Sequence, residues 1–95
     1  MAYDFWITAV KTNDQHITYV RVRRNYPTIL GAERTVARGF VADLINIGKA
    51  TFCTSVKNAE GKWTQGAHVH VLDDEFLTTD PNSKLKDNLG KLPEF

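Results

Sequence analysis

Thr35–Gly48 reads TVARGFVADLINIG, and it is the one stretch of the chain with the periodicity of an amphipathic helix. Ala37, Phe40, Val41, Leu44, Ile45 and Gly48 recur at the spacing that lines one face of a 3.6-residue helix, while Arg38, Ala42, Asp43, Asn46 and Lys49 take the other. Thr35 suits the N-cap, because its hydroxyl can accept from a free amide of the first turn. Gly48 suits the left-handed residue that closes the last turn. Gly39 costs about 1 kcal/mol against alanine inside a helix, so the start is placed between Thr35 and Arg38. A helix this short is marginal alone in water and needs a surface to lie on. Leu44→Ala is accordingly expected to cost roughly 2 to 5 kcal/mol.

The surface is supplied by the flanking segments. Asp4–Lys11 (DFWITAVK) is β-branched, aromatic and almost continuously apolar from Phe5 to Val10, the pattern of a strand covered on both faces. After the turn formers Thr12–Gln15, His16–Arg24 alternates. Thr18, Val20 and Val22 fall on one side, and Ile17, Tyr19, Arg21 and Arg23 on the other. These two runs predict an antiparallel hairpin. Asn25–Arg34, with Tyr26-Pro27 and Gly31, reads as a loop leading to the helix. Beyond Gly48, Ala50–Lys57 is a third strand and Asn58–Lys62 a glycine-containing turn. Trp63–Leu72 is a fourth strand, and Glu75–Thr79 a short fifth after Asp73-Asp74. Asp80-Pro81 suits a cap followed by proline at the first helical position. The rest of the tail is expected to be one helical turn and extended chain, held down by Leu85, Leu89, Leu92 and Phe95.

The order β-β-α-β-β, with a possible fifth strand, predicts an α+β fold. Its mostly antiparallel four- to five-stranded sheet carries one main helix on one face. Residues 1–95 then form a single domain, with 80–95 as a tail packed on it. One helix covers one face only. Trp6, Tyr19 and Trp63 are assigned to the reverse side, as a face for a partner, for a second copy of the chain, or for the tail.

Composition narrows the function classes. With 42% apolar and 24% charged residues in 95 positions, the chain is an ordinary soluble domain with core enough to fold without a staple. No run approaches the length of a membrane helix, and the opening residues lack a secretory leader's pattern, so the expected compartment is the cytoplasm. A single cysteine, Cys53, excludes an internal disulfide and a cysteine-rich zinc site. The net charge is only +1, yet all five arginines precede residue 39.

Several short motifs run along the chain: Ile7-Thr8-Ala9-Val10, the helix ending in Leu44-Ile45 and Gly48, and the Gly66-Ala67-His68-Val69-His70-Val71 strand. The Thr79-Asp80-Pro81-Asn82 turn and the tail Asp87-Asn88-Leu89-Gly90-Lys91-Leu92-Pro93 complete the set. Together they resemble a family of small, mostly bacterial proteins catalogued as a domain of unknown function. The resemblance implies a compact α+β module and brings no activity, ligand or cofactor with it. Asn25–Arg34 is longer and more basic than is usual in such proteins, which marks it as the place for anything peculiar to this chain.

Three constellations carry chemistry. His68 and His70, two apart on a strand, project to the same side and could share a metal ion, with a third ligand from His16 or an acid such as Asp73. Two ligands do not make a site, so no metal is assigned. Cys53 would be a nucleophile only beside a base, with His16 or Ser55 near it, and a mid-strand cysteine is more often a small buried apolar residue. No phosphate-binding glycine loop, dinucleotide fingerprint or nucleophile elbow is present, so no catalytic residue and no cofactor is assigned. Arg21, Arg23 and Arg24, with Tyr26, Arg34 and Arg38, form the basic cluster, suited to single-stranded nucleic acid. Its pI near 7.9 is low for a dedicated binder. The expected function is therefore a non-enzymatic interaction module, with a protein partner or self-association ahead of nucleic acid.

Overall fold

A computed structural model describes residues 3–14, 16–72, 75–79, 89 and 92–95. Its elements are β1 (Phe5–Asn13), β2 (His16–Arg24), β3 (Arg34–Ala37), α1 (Arg38–Asn46), β4 (Phe52–Lys57), β5 (Trp63–His68), β6 (His70–Leu72) and β7 (Phe76–Thr78). The first five strands form one sheet in the order β3-β2-β1-β4-β5, and β6 pairs with β7 in a separate ribbon. The α+β class is as expected. The sheet, however, is mixed rather than mostly antiparallel, because β1 and β4 run parallel.

That difference has one cause, the strand β3. Residues 34–37 were expected to be the end of a loop and the first turn of the helix, but Thr35 and Val36 are β-branched and settle instead on the edge of β2. Three antiparallel strands before the helix leave β3 pointing the same way as β1. The helix carries the chain back across the sheet, and β4 then enters beside β1 in the same direction, as a crossover connection requires. β1 is thereby central and paired on both edges. Its unbroken apolar run follows from that position.

The β1–β2 pairing slips twice, once at Thr8 in β1 and once at Thr18 in β2, each an extra residue opposite none on the other strand. Each bulge reverses the alternation beyond it. Ile7 and Val10 therefore both face the core despite their odd separation, and Ile17 joins Val20 and Val22 there, contrary to the simple alternation that put it on the opposite side.

Ala37, not Thr35, precedes the first helical turn of α1, with extended backbone and no side-chain cap. The C-terminus forms as expected. Gly48 takes a positive φ of 70°, its N–H donates to Ile45 O and the Lys49 N–H donates to Leu44 O, the paired closure that satisfies two otherwise free carbonyls. The buried stripe is rotated from the expected one. Val41 and Ala42 are the buried residues, Leu44 and Ile45 are half-buried, and Phe40 is 56% exposed. The helix packs against β2 and β3 on one side and the β6–β7 ribbon on the other, and shares the core with Ile7, Val20, Phe52, Val69 and Leu77.

The expected fourth strand is divided. Val69 is buried and its N–H donates to Phe52 O, which ends β5 at His68 and turns β6 away to pair with β7. In the tail, Leu89 and Leu92 are buried. Glu94 bridges to Val10, with the Val10 N–H donating to Pro93 O and the Phe95 N–H donating to Val10 O. The Asp80-Pro81 turn and Leu85 lie outside the described residues.

Candidate functional site

The sheet face away from α1 is built from cross-strand neighbours. Trp6 stands opposite Arg23 on β2 and Cys53 on β4, and Trp63 stands opposite Lys57 where β4 meets β5. Two cations approach the Trp63 ring, Arg23 Cζ at 5.7 Å and Lys57 Nζ at 5.2 Å from its centroid. Arg23 also reaches into the following loop, where its Nη1 donates to Gly31 O at 3.0 Å.

That loop, residues 25–31, is closed at its base. The Gly31 N–H donates to Arg24 O, Asn25 bridges to Leu30, and the Asn25 side chain donates to Tyr3 O. A Cβ at Gly31 would stand 2.9 Å from the edge of the Tyr26 ring and 3.3 Å from Arg24 Cβ, so a larger residue there requires the exposed Tyr26 ring to move. The loop rises beside the two tryptophans and leaves a cleft of about 510 Å³, with Trp6, Arg23 and Trp63 on one side and Pro27, Ile29 and Leu30 on the other. Ile29 is 67% exposed at its rim. The buried Trp6 Nε1 and Arg23 Nε have no hydrogen-bond partner among the described residues. Unsatisfied buried donors are uncommon and costly in folded chains.

The six residues of the expected basic cluster do not form one patch, although Arg24, Tyr26 and Arg34 line a single cleft. Arg21 lies 4.1 Å over the Phe95 ring and 3.6 Å from the Glu33 carboxylate, and Arg38 lies over Phe76. Arg24 lies over Tyr26 and, with Arg34, lines a cleft on the helix side of the sheet. Only Arg21 and Arg23 share the reverse face, and both are engaged by groups of this chain. Tyr19, expected beside Trp6 and Trp63, is exposed in a separate hollow near His16 and Phe76. Trp6 and Trp63, grouped from the sequence, line one cleft together with residues of the 25–34 segment. Sequence reasoning missed the helix-side cleft, whose signal was Arg24 on the same strand face as the core residues Val20 and Val22.

A family model described as a protein of unknown function, DUF3892, matches residues 6–93. The chain belongs to this family. The matched span of the DUF3892 chain runs from Trp6 to the Pro93 carbonyl that bonds Val10, so it takes in the sheet except for Phe5 at the start of β1. No curated protein and no solved structure matches the chain.

The other candidates of the DUF3892 chain are reactive in composition more than in setting. His68 and His70 do meet, ring edge to ring face at 4.4 Å, and the Tyr3 hydroxyl lies 3.2 Å from His68 Nδ1. Burial, and then the charge on His70, hold the His68 imidazole below its usual pKa. His16 packs on Phe76 instead, Asp73 lies outside the described residues, and no group of three metal-ligating side chains occurs among the described residues. Cys53 is buried, and its thiol is pushed up to about 11 by burial, against a smaller opposing pull from the Gly66 N–H. A thiol so placed is protonated at neutral pH and is a poor nucleophile. Ser55 donates to Thr64 O at 2.7 Å, inside the β4–β5 ladder. No described helix is long and apolar enough to cross a membrane.

Proposed function

We propose that this chain is a non-enzymatic, cytoplasmic binding module that holds an acidic, extended segment of a partner protein in the cleft between Trp6, Trp63 and the 25–31 loop. The observation that carries the reading is the pair of unpartnered N–H donors, Trp6 Nε1 and Arg23 Nε, buried beside an aromatic cleft. A carbonyl or carboxylate brought near them relieves that cost with a small side-chain adjustment. Tryptophan and arginine are the residue types that dominate interface energetics, and exposed Ile29 offers an apolar contact at the rim. Arg23 and Lys57, both beside Trp63, favour an acidic segment over a basic one.

Selection of random peptides on the immobilised protein tests this directly. Acidic sequences are expected, with contacts mapped to Trp6, Ile29 and Trp63 by amide shifts. Trp6→Phe, which keeps an aromatic ring and loses the N–H, should weaken binding about fivefold, near 1 kcal/mol. Selected peptides that are basic, or that map elsewhere, overturn the proposal. So does a dimer in sedimentation that buries both tryptophans, or tight, steeply salt-dependent binding of oligonucleotides to this same face.

A further inference from the structure

We propose a second, separate binding site: the cleft between α1 and the sheet takes a small organic acid, apolar body inward and carboxylate outward. The cleft has a volume of about 280 Å³. Its floor is core material, the buried side chains of Val22, Val41 and Phe52, with Phe5 stacked on Phe52 at 5.2 Å between ring centroids. Such a lining accepts hydrocarbon and offers nothing to a polar ligand body.

The mouth is different. In the sheet register Arg34 stands opposite Val22 and Arg24 opposite Phe5, so both arginines occupy positions of the core-facing side at the same end of the sheet. No aspartate or glutamate lines the cleft among the described residues, and neither arginine is ion-paired to a described acid. Two guanidinium forks over an apolar hole match a carboxylate, which accepts paired N–H bonds in their plane. Phe40 and Tyr26, 56% and 46% exposed, stand at the same mouth. A ligand body between them would cover rings that are otherwise left to water.

Volume fixes the class further. The cleft lies at the lower end of the range of small-molecule pockets, too small for a nucleotide or a long acyl chain. A medium-chain or single-ring monocarboxylate fits. This site lies on the opposite side of the sheet from the tryptophans and shares only Tyr26 with the lining of the peptide cleft, so variants at Arg34 and Trp6 test the two sites separately.

Octanoate is the probe, with 1-octanol as its uncharged counterpart, each titrated into the full chain by calorimetry and amide shifts. Octanoate should bind at least tenfold more tightly than octanol, with shifts centred on Val36, Phe40, Val41 and Leu44. Arg34→Gln, a change at an exposed side chain, should lower octanoate affinity about tenfold while leaving octanol unchanged. Trp6→Phe should leave both unchanged. Equal affinity for the acid and the alcohol, no binding of octanoate, or shifts centred elsewhere would each overturn the assignment. The acid–alcohol comparison needs no variant, so the test survives even if Arg34→Gln fails to fold.

Discussion

At the scale of single residues, Cys53 shows how burial converts a reactive group into a structural one. It is 0% exposed on β4, opposite Trp6 on one side and His68 on the other. With its pKa raised from 9.0 to about 11, the folded chain keeps the thiol proton under conditions where the unfolded chain loses it. The raised folded value means that the thiol's contribution to stability is complete below pH 9 and is lost as pH rises through 11. Stability of the native protein should therefore fall between pH 9 and 11 relative to Cys53→Ala, whose small side chain has nothing to ionise. Denaturant midpoints of the two proteins across that range check it, and parallel pH profiles would show that the thiol ionises equally in both states. Iodoacetamide at pH 8 should label Cys53 in denaturant and spare it in the folded protein.

At the scale of elements, α1 separates what a pattern reveals from what it hides. Its end was legible, because a glycine after the last apolar residue has one strong physical use. Its start was not, because Thr35-Val36 satisfies a cap and a strand equally well, and only the free edge of β2 decides between them. The same ambiguity rotated the buried stripe by about one residue. Phe40 went to the cleft mouth, and Ala42, read as polar-face, went into the core. The bulges at Thr8 and Thr18 were invisible for a related reason, since neither is glycine and each is set by the partner strand. The histidine pair, by contrast, was legible, because two residues apart on extended chain stay together even where β5 gives way to β6 at Val69. The rotation changes which substitution matters. Val41, fully buried, should cost about 1.5 to 3 kcal/mol when cut to alanine. Half-buried Leu44 should cost less than the 2 to 5 kcal/mol of a full core leucine. Urea denaturation of the two variants distinguishes the stripes, and a larger loss at Leu44 would restore the one first read from the sequence.

At the scale of the whole molecule, the organising strand is β1, and the helix is the connection that makes it central. β2 lies along one of its edges, but β4 pairs with the other only from Phe5 to Ile7. Farther along, the tail takes the place that β4 leaves, and Val10 exchanges both backbone hydrogen bonds with residues 93 and 95. Phe95 then lies against Arg21, which leaves the open part of the reverse face toward Trp6. The tail thus continues, by a single parallel bridge, the edge of β1 that β4 leaves. Removing residues 92–95 forfeits the burial of Leu92, two backbone bonds and the Phe95–Arg21 contact, set against the conformational entropy that four residues regain. Leu92→Ala should lose part of that burial while keeping the backbone bonds. The Val10 amide separates the two: its hydrogen exchange should speed in the deletion far more than global stability accounts for, and remain slow in Leu92→Ala. Equal protection in both would mean that the tail contributes only hydrophobic cover, with the edge of β1 satisfied by something other than residues 93–95.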